Sequence, residues 1–140
     1  MARVAALVLA LAWLLASVPA GAEHEVYYRY VVLGFVKDAR GKPVAGRQVE
    51  LVRDKTGFSY LGETDVKGFY MLVSRLGDES AGEPLTLRLG GASLKLTARF
   101  DPTNHTDDRG TRVDGQGTKL VERAAWFPST LANALGALGR

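Results

Sequence analysis

The chain contains no cysteine in its 140 residues. That absence excludes a disulfide framework, thiolate metal sites, thioether haem attachment and lipid anchoring on an N-terminal cysteine. The two histidines, His24 and His105, lie far apart in sequence, and without a thiolate a zinc site would need an uncommon set of carboxylates. No Gly-x-Ser-x-Gly elbow is present, so no serine stands in a recognisable nucleophile context. Net charge is only +3, with lysine and arginine scattered among the acids. A nucleic-acid surface needs basic residues gathered on one face, and no run of this sequence gathers them.

At the N-terminus, Arg3 supplies a short positive segment and Val4 to Val18 is an apolar stretch with Ser17 as its one polar residue. Pro19 and the small residues Ala20-Gly21-Ala22 follow. This is the pattern of an export signal (residues 1–22), with cleavage after Ala22 leaving Glu23 as the new terminus. Retention of the stretch as a membrane anchor is the alternative. Both readings place the rest of the chain outside the cytoplasm, periplasmic or secreted. After cleavage no transmembrane span remains. The lack of disulfides suits a Gram-negative periplasm better than animal secretion. The remaining segment of about 118 residues is one domain's worth of chain. It divides into a β-rich part, 23–123, and a tail, 124–140.

The densest local signal runs from Gly34 to Tyr70. It reads Gly34-Phe35-Val36-Lys37-Asp38-Ala39-Arg40-Gly41-Lys42-Pro43-Val44-Ala45-Gly46, then Val49-Glu50-Leu51, and later Thr64-Asp65-Val66-Lys67-Gly68-Phe69-Tyr70. Gly41 permits a positive φ, and Pro43 fixes φ as the chain leaves the turn. This run resembles the carboxypeptidase regulatory-like family, small transthyretin-like β-sandwiches with the pattern G-x-V-x-D-x-x-G-x-P-[ILV]-x-G-x-x-V-x-L followed by T-D-x-x-G-x-Y. The resemblance covers Val31 to about Val73. It implies the fold, and a module that in the family usually accompanies a peptidase, an outer-membrane receptor or a surface protein. Periplasmic hydroxyisourate hydrolases share that fold, but their Tyr-Arg-Gly-Ser terminus has no counterpart in Ala137-Leu138-Gly139-Arg140.

Read for periodicity, the chain gives about seven strands and an all-β, antiparallel two-sheet sandwich. Strands are expected over Tyr27–Val36, Arg47–Arg53, Ser59–Asp65, Phe69–Ser74, Leu85–Leu89, Leu94–Phe100 and Lys119–Arg123. Leu94, Leu96, Ala98 and Phe100 alternate cleanly and should face the core. The first strand is apolar on both sides, with Val32 and Val36 on one face and Val31, Leu33 and Phe35 on the other, so both faces should be covered. Phe127-Pro128-Ser129-Thr130 begins a short helical or extended tail, with Ser129 as its cap and Leu131, Leu135 and Leu138 at helical spacing. Trp126, Phe127 and Leu131 are expected to cover the Val31–Leu33–Phe35 row, within one molecule or in a symmetric homodimer. These six residues are the candidate partner-binding set.

The segment from Asp101 to Gly115 reads as a polar loop. Asp101, His105, Asp107, Asp108 and Asp114 give it the oxygen-rich character a hard cation requires, although the spacing is not that of an EF-hand. A solvated, salt-bridged loop is the favoured reading, with no metal or other cofactor. The functional expectation is therefore a non-catalytic exported module that binds or organises another envelope component, with an envelope protein as partner and no nucleic acid. The alternative is a small-ligand or cation carrier or sensor using the Asp101–Asp114 loop. A hydrolase comes third.

Overall fold

A computed structural model describes residues 25–138; residues 1–22, read above as an export signal, lie outside the described residues. The described residues form eight strands: β1 (Tyr30–Lys37), β2 (Gln48–Arg53), β3 (Phe58–Glu63), β4 (Phe69–Ser74), β5 (Pro84–Leu89), β6 (Ala92–Thr97), β7 (Gly110–Gln116) and β8 (Lys119–Glu122). They form two four-stranded sheets, ordered β4-β1-β7-β8 and β3-β2-β5-β6, packed face to face as a sandwich. Among the described residues one α-helix, α1 (Phe127–Leu138), follows β8 after a single 3-10 turn. Among the described residues no helix is long and apolar enough to cross a membrane.

The expected two-sheet β-sandwich is present, with one parallel pair, β1 and β7, among otherwise antiparallel neighbours. Two local expectations are corrected. The polar loop ends sooner than its composition suggests, since Gly110–Gln116 is a strand. Only Thr111, Val113 and Gly115 of β7 turn inward, and one large apolar residue in seven leaves a weak hydrophobic signal. At the other end of the sequence, Val26–Tyr28 is a 3-10 turn rather than the start of the first strand.

Two of the turns in the Gly34–Tyr70 run share one device. At each, an aspartate side chain accepts backbone N–H groups that the reversal leaves unpaired: Asp38 from Arg40 and Lys42, Asp65 from Lys67 and Phe69. Gly41 (φ 84°) and Gly68 (φ 77°) close these turns in the left-handed region, where a side chain would be strained.

Between the sheets lies the main core. Tyr30, Val32, Val36, Tyr70, Leu72 and Val113 come from one sheet, and Val49, Leu51, Leu85, Leu87, Leu89 and Leu96 from the other. Polar atoms caught in it are matched. The Tyr70 hydroxyl donates to the Val113 carbonyl at 2.6 Å, and Ser74 Oγ donates to the Tyr30 carbonyl at 2.7 Å. At its edge the Arg53 guanidinium grips Glu83 through two bonds of 2.8 and 2.7 Å and holds that carboxyl at about 2, well below its ordinary range.

Leu96, on the edge strand β6, is 3% exposed and belongs to this core. Leu96→Ala should therefore cost about 2–5 kcal/mol in chemical denaturation, as truncated core leucines do. Its neighbour Lys95 bonds Asp54 and Thr86, both at 2.8 Å, from a largely exposed position. Lys95→Ala should cost only about 0.2–1 kcal/mol. Equal losses from the two variants would contradict the assignment of inward and outward faces on β6.

Candidate functional site

The outer face of the β4-β1-β7-β8 sheet is divided into two halves. Over one half lies α1, whose Phe127 and Leu131 pack on Val31 and Leu33 of β1, flanked by Phe69 and Met71 of β4. The expected cover for the first strand's second face is thus supplied within the molecule, and Val31, Leu33, Phe127 and Leu131 are buried by it. The helix departs from expectation in three ways. It begins at Phe127 rather than after Ser129, Leu135 is half exposed, and Trp126 does not lie on the apolar row.

Strand register lays out the second half as a grid, because residues paired across adjacent strands share a face. One line runs Leu33, Arg112, Arg123; the next runs Phe35, Asp114, Val121; the third runs Lys37, Gln116, Lys119. Beyond Leu33 these side chains line an open cleft of ≈ 500 Å³. Four cations surround one carboxylate there.

Asp114 organises this surface. Between Leu33 and Val36 the β1–β7 ladder is interrupted, and the Phe35 N–H would be left without a carbonyl. Asp114 Oδ1 accepts it at 3.0 Å. Gly34 is forced at the same point, since a Cβ there would overlap the Val113 carbonyl. The carboxylate also takes Arg112 side-on, through Nε at 3.0 and 3.1 Å and Nη2 at 2.9 Å, and receives Arg123 Nη1 at 2.7 Å. Partial burial pushes the Asp114 carboxyl up. The Arg112 hydrogen bonds, the Phe35 N–H and the two guanidinium charges outweigh that push and hold it below the usual aspartate range. The stabilisation it gives is therefore complete above the unfolded-state pKa and is lost as pH falls through the lower folded value.

Arg112 carries the connection on to the helix. Its Nη1 donates to Thr130 Oγ1 at 3.0 Å, and Thr130 in turn donates to the Trp126 carbonyl at 2.6 Å. The guanidinium lies 5.1 Å from the Phe35 ring and 5.2 Å from the Trp126 ring, within cation–π range of both. Arg123 lies 4.9 Å from Trp126. Phe35 and Trp126 thus belong to the basic surface, and only indirectly to the apolar cover.

The other candidate residues are dispersed. Asp101 accepts from Thr103, His105 faces Asp78 at 2.8 Å, Asp107 accepts from Asn104, and Asp108 pairs with Arg29. Asp114 is on β7 with its own arginines. Each acid has a separate partner, and no group of three or more potential ligands comes together among the described residues. What organises the loop is buried Arg109. Its guanidinium bonds Asp78 at 2.8 Å and the Asn104 and Tyr27 carbonyls at 3.1 Å, and it lies 4.2 Å from the Phe100 ring. The Arg109 hydrogen bond holds the Asp78 carboxyl below its ordinary value, helped by His105.

Lys37, Arg112, Lys119 and Arg123 carry no mark in the sequence, where they are spread over 87 positions. The usable signal is the period-two alternation of Thr111, Val113 and Gly115 with Arg112, Asp114 and Gln116, which identifies a strand with a polar outer face.

No family model matches the chain, and no curated protein matches it. Among solved structures it is similar to the dioxygenase domain of a dioxygenase–carbohydrate-binding protein fusion from the cellulolytic bacterium Streptomyces sp. SirexAA-E. That match has 16% identity and a TM-score of 0.43, and covers 64% of this chain and 79% of the other. It is also similar to chlorocatechol 1,2-dioxygenase from Pseudomonas putida, with 12% identity and a TM-score of 0.44, covering 70% and 61%. Likenesses this distant assign no activity.

A chain ending at Arg123 lacks the cover over Val31 and Leu33. It should bind a hydrophobic dye, associate or melt earlier than the intact protein, because an apolar patch of this kind becomes exposed. An equally stable, monomeric and dye-silent truncation would show that the helix contributes nothing to the sheet it touches.

Proposed function

We propose that the protein is a non-catalytic, exported β-sandwich module of the carboxypeptidase regulatory-like kind, which docks an envelope component on the open half of its β4-β1-β7-β8 sheet. The observation that carries this reading is the division of that face. Half is closed by the protein's own helix, and the other half is a concave, charged cleft bordered by Phe35 and Trp126. Arginine and aromatic residues together are typical of the anchoring parts of protein interfaces. The motif run from Gly34 to Tyr70 supports the family assignment. The segment Met1–Ala22 supports export, and with it a partner in the periplasm or beyond.

Photocrosslinking in intact cells tests the reading. A photoreactive residue at Thr118, in the exposed β7–β8 turn beside the cleft, should give a discrete adduct with an envelope component. The same residue at Ser93, exposed on the opposite sheet, should give none. An adduct of twice the chain mass would identify a second copy as the occupant. No adduct from Thr118, or equal adducts from both positions, would contradict docking at this face.

A further inference from the structure

We infer that the row formed by Lys37, Gln116 and Lys119, together with Arg123, is an anion site that holds a phosphate or carboxylate group of the docked partner. This rests on the reading of the cleft as a docking surface and names the chemistry that the surface recognises.

The row is continuous across three strands, since Lys37 pairs with Gln116 and Gln116 with Lys119. Two lysines therefore flank one neutral amide on the same face, separated by two interstrand spacings, about 10 Å at the backbone. At that spacing, close to one screening length, the two lysines repel each other only weakly, but both place positive potential over Gln116. Asp114, one row away, does not offset it. Its two oxygens are already committed to Arg112, Arg123 and the Phe35 N–H. Among the described residues, neither lysine has an ion-pair partner, whereas Arg29, Arg53, Arg88, Lys95, Arg109 and Arg112 all do.

The two arginines divide the work. Arg112 gives Nε and Nη2 to Asp114 and Nη1 to Thr130, and is a positioning residue. Arg123 makes one contact with Asp114 through Nη1, is 41% exposed, and borders the same cleft as the lysines. A concave site with low-dielectric walls strengthens the field of such a cluster compared with a flat surface. An anionic group seated over Gln116 meets ammonium charges on both sides. Gln116 has both a donor and an acceptor to offer it, and Val121 and Phe35 border the cleft with apolar surface for the rest of the ligand.

The test is a thermal-melting titration of the full chain with inorganic phosphate and, in parallel, citrate, with ionic strength held constant by sodium chloride. The wild-type melting temperature should rise saturably, because a ligand stabilises the state that binds it. Lys37→Gln with Lys119→Gln should weaken the half-saturation concentration at least tenfold. Lys55→Gln, in the exposed turn after β2, should leave it unchanged. If the double variant does not fold, each single substitution should weaken the response. A response to phosphate alone or to citrate alone supports the site and assigns its anion. No saturable rise, an equal response in the double variant, or an equal loss in Lys55→Gln would overturn it. Adducts from Thr118 that persist while both anions leave melting unmoved would remove the anion site alone. Anion binding without adducts would remove the partner reading alone.

Discussion

The carboxylate of Asp114 is the constraint on which the outer face of the β4-β1-β7-β8 sheet depends. A parallel pair of strands needs evenly spaced backbone bonds, yet the β1–β7 ladder is interrupted at Gly34 and Phe35, where the two backbones leave no room for a Cβ on Gly34. An unpaired N–H in a half-buried sheet costs free energy comparable to a lost hydrogen bond. Asp114 repairs the gap, and its charge then draws Arg112 and Arg123 against β7 and β8. One side chain thus joins three strands.

From that anchor the face acquires its two halves. Arg112, fixed by Asp114 and stacked near Phe35 and Trp126, presents Nη1 to Thr130 and so sets where α1 can lie. The helix alone is a weak former: it is short, contains Gly136, and has no acidic residue in its first turn or basic residue in its last. Burial of Phe127 and Leu131 on Val31 and Leu33 holds it, and the arginine fixes its position along the sheet. What the helix leaves uncovered is the charged cleft. Cover and opening are consequences of the same side chain.

Much of the sandwich was legible in the sequence because its strands obey period two and its turns carry aspartate and glycine at fixed offsets. The double-sided apolar character of β1 correctly implied a second cover, and Phe127 and Leu131 were the residues available to provide it. The cleft was not legible. Its cations come from β1, β7 and β8, and only the register brings them together; β7 itself was hidden by its polar composition. The same polar composition makes Asp114 read as part of the acidic loop, whereas its partners are Arg112, two residues back, and Arg123, nine residues on, on the same sheet. Composition groups Trp126 with the apolar cover, whereas its ring lies 5.2 Å from Arg112 and 4.9 Å from Arg123.

Amide hydrogen exchange on Asp114→Ala measures the central claim most directly, because exchange reports local opening residue by residue. Loss of the carboxylate should accelerate exchange at Phe35 and throughout α1, while the β2 and β5 amides around Leu51 and Leu87 keep their protection. Unchanged protection in α1, with Phe35 alone released, would show that the helix is held independently of Asp114 and would contradict the account.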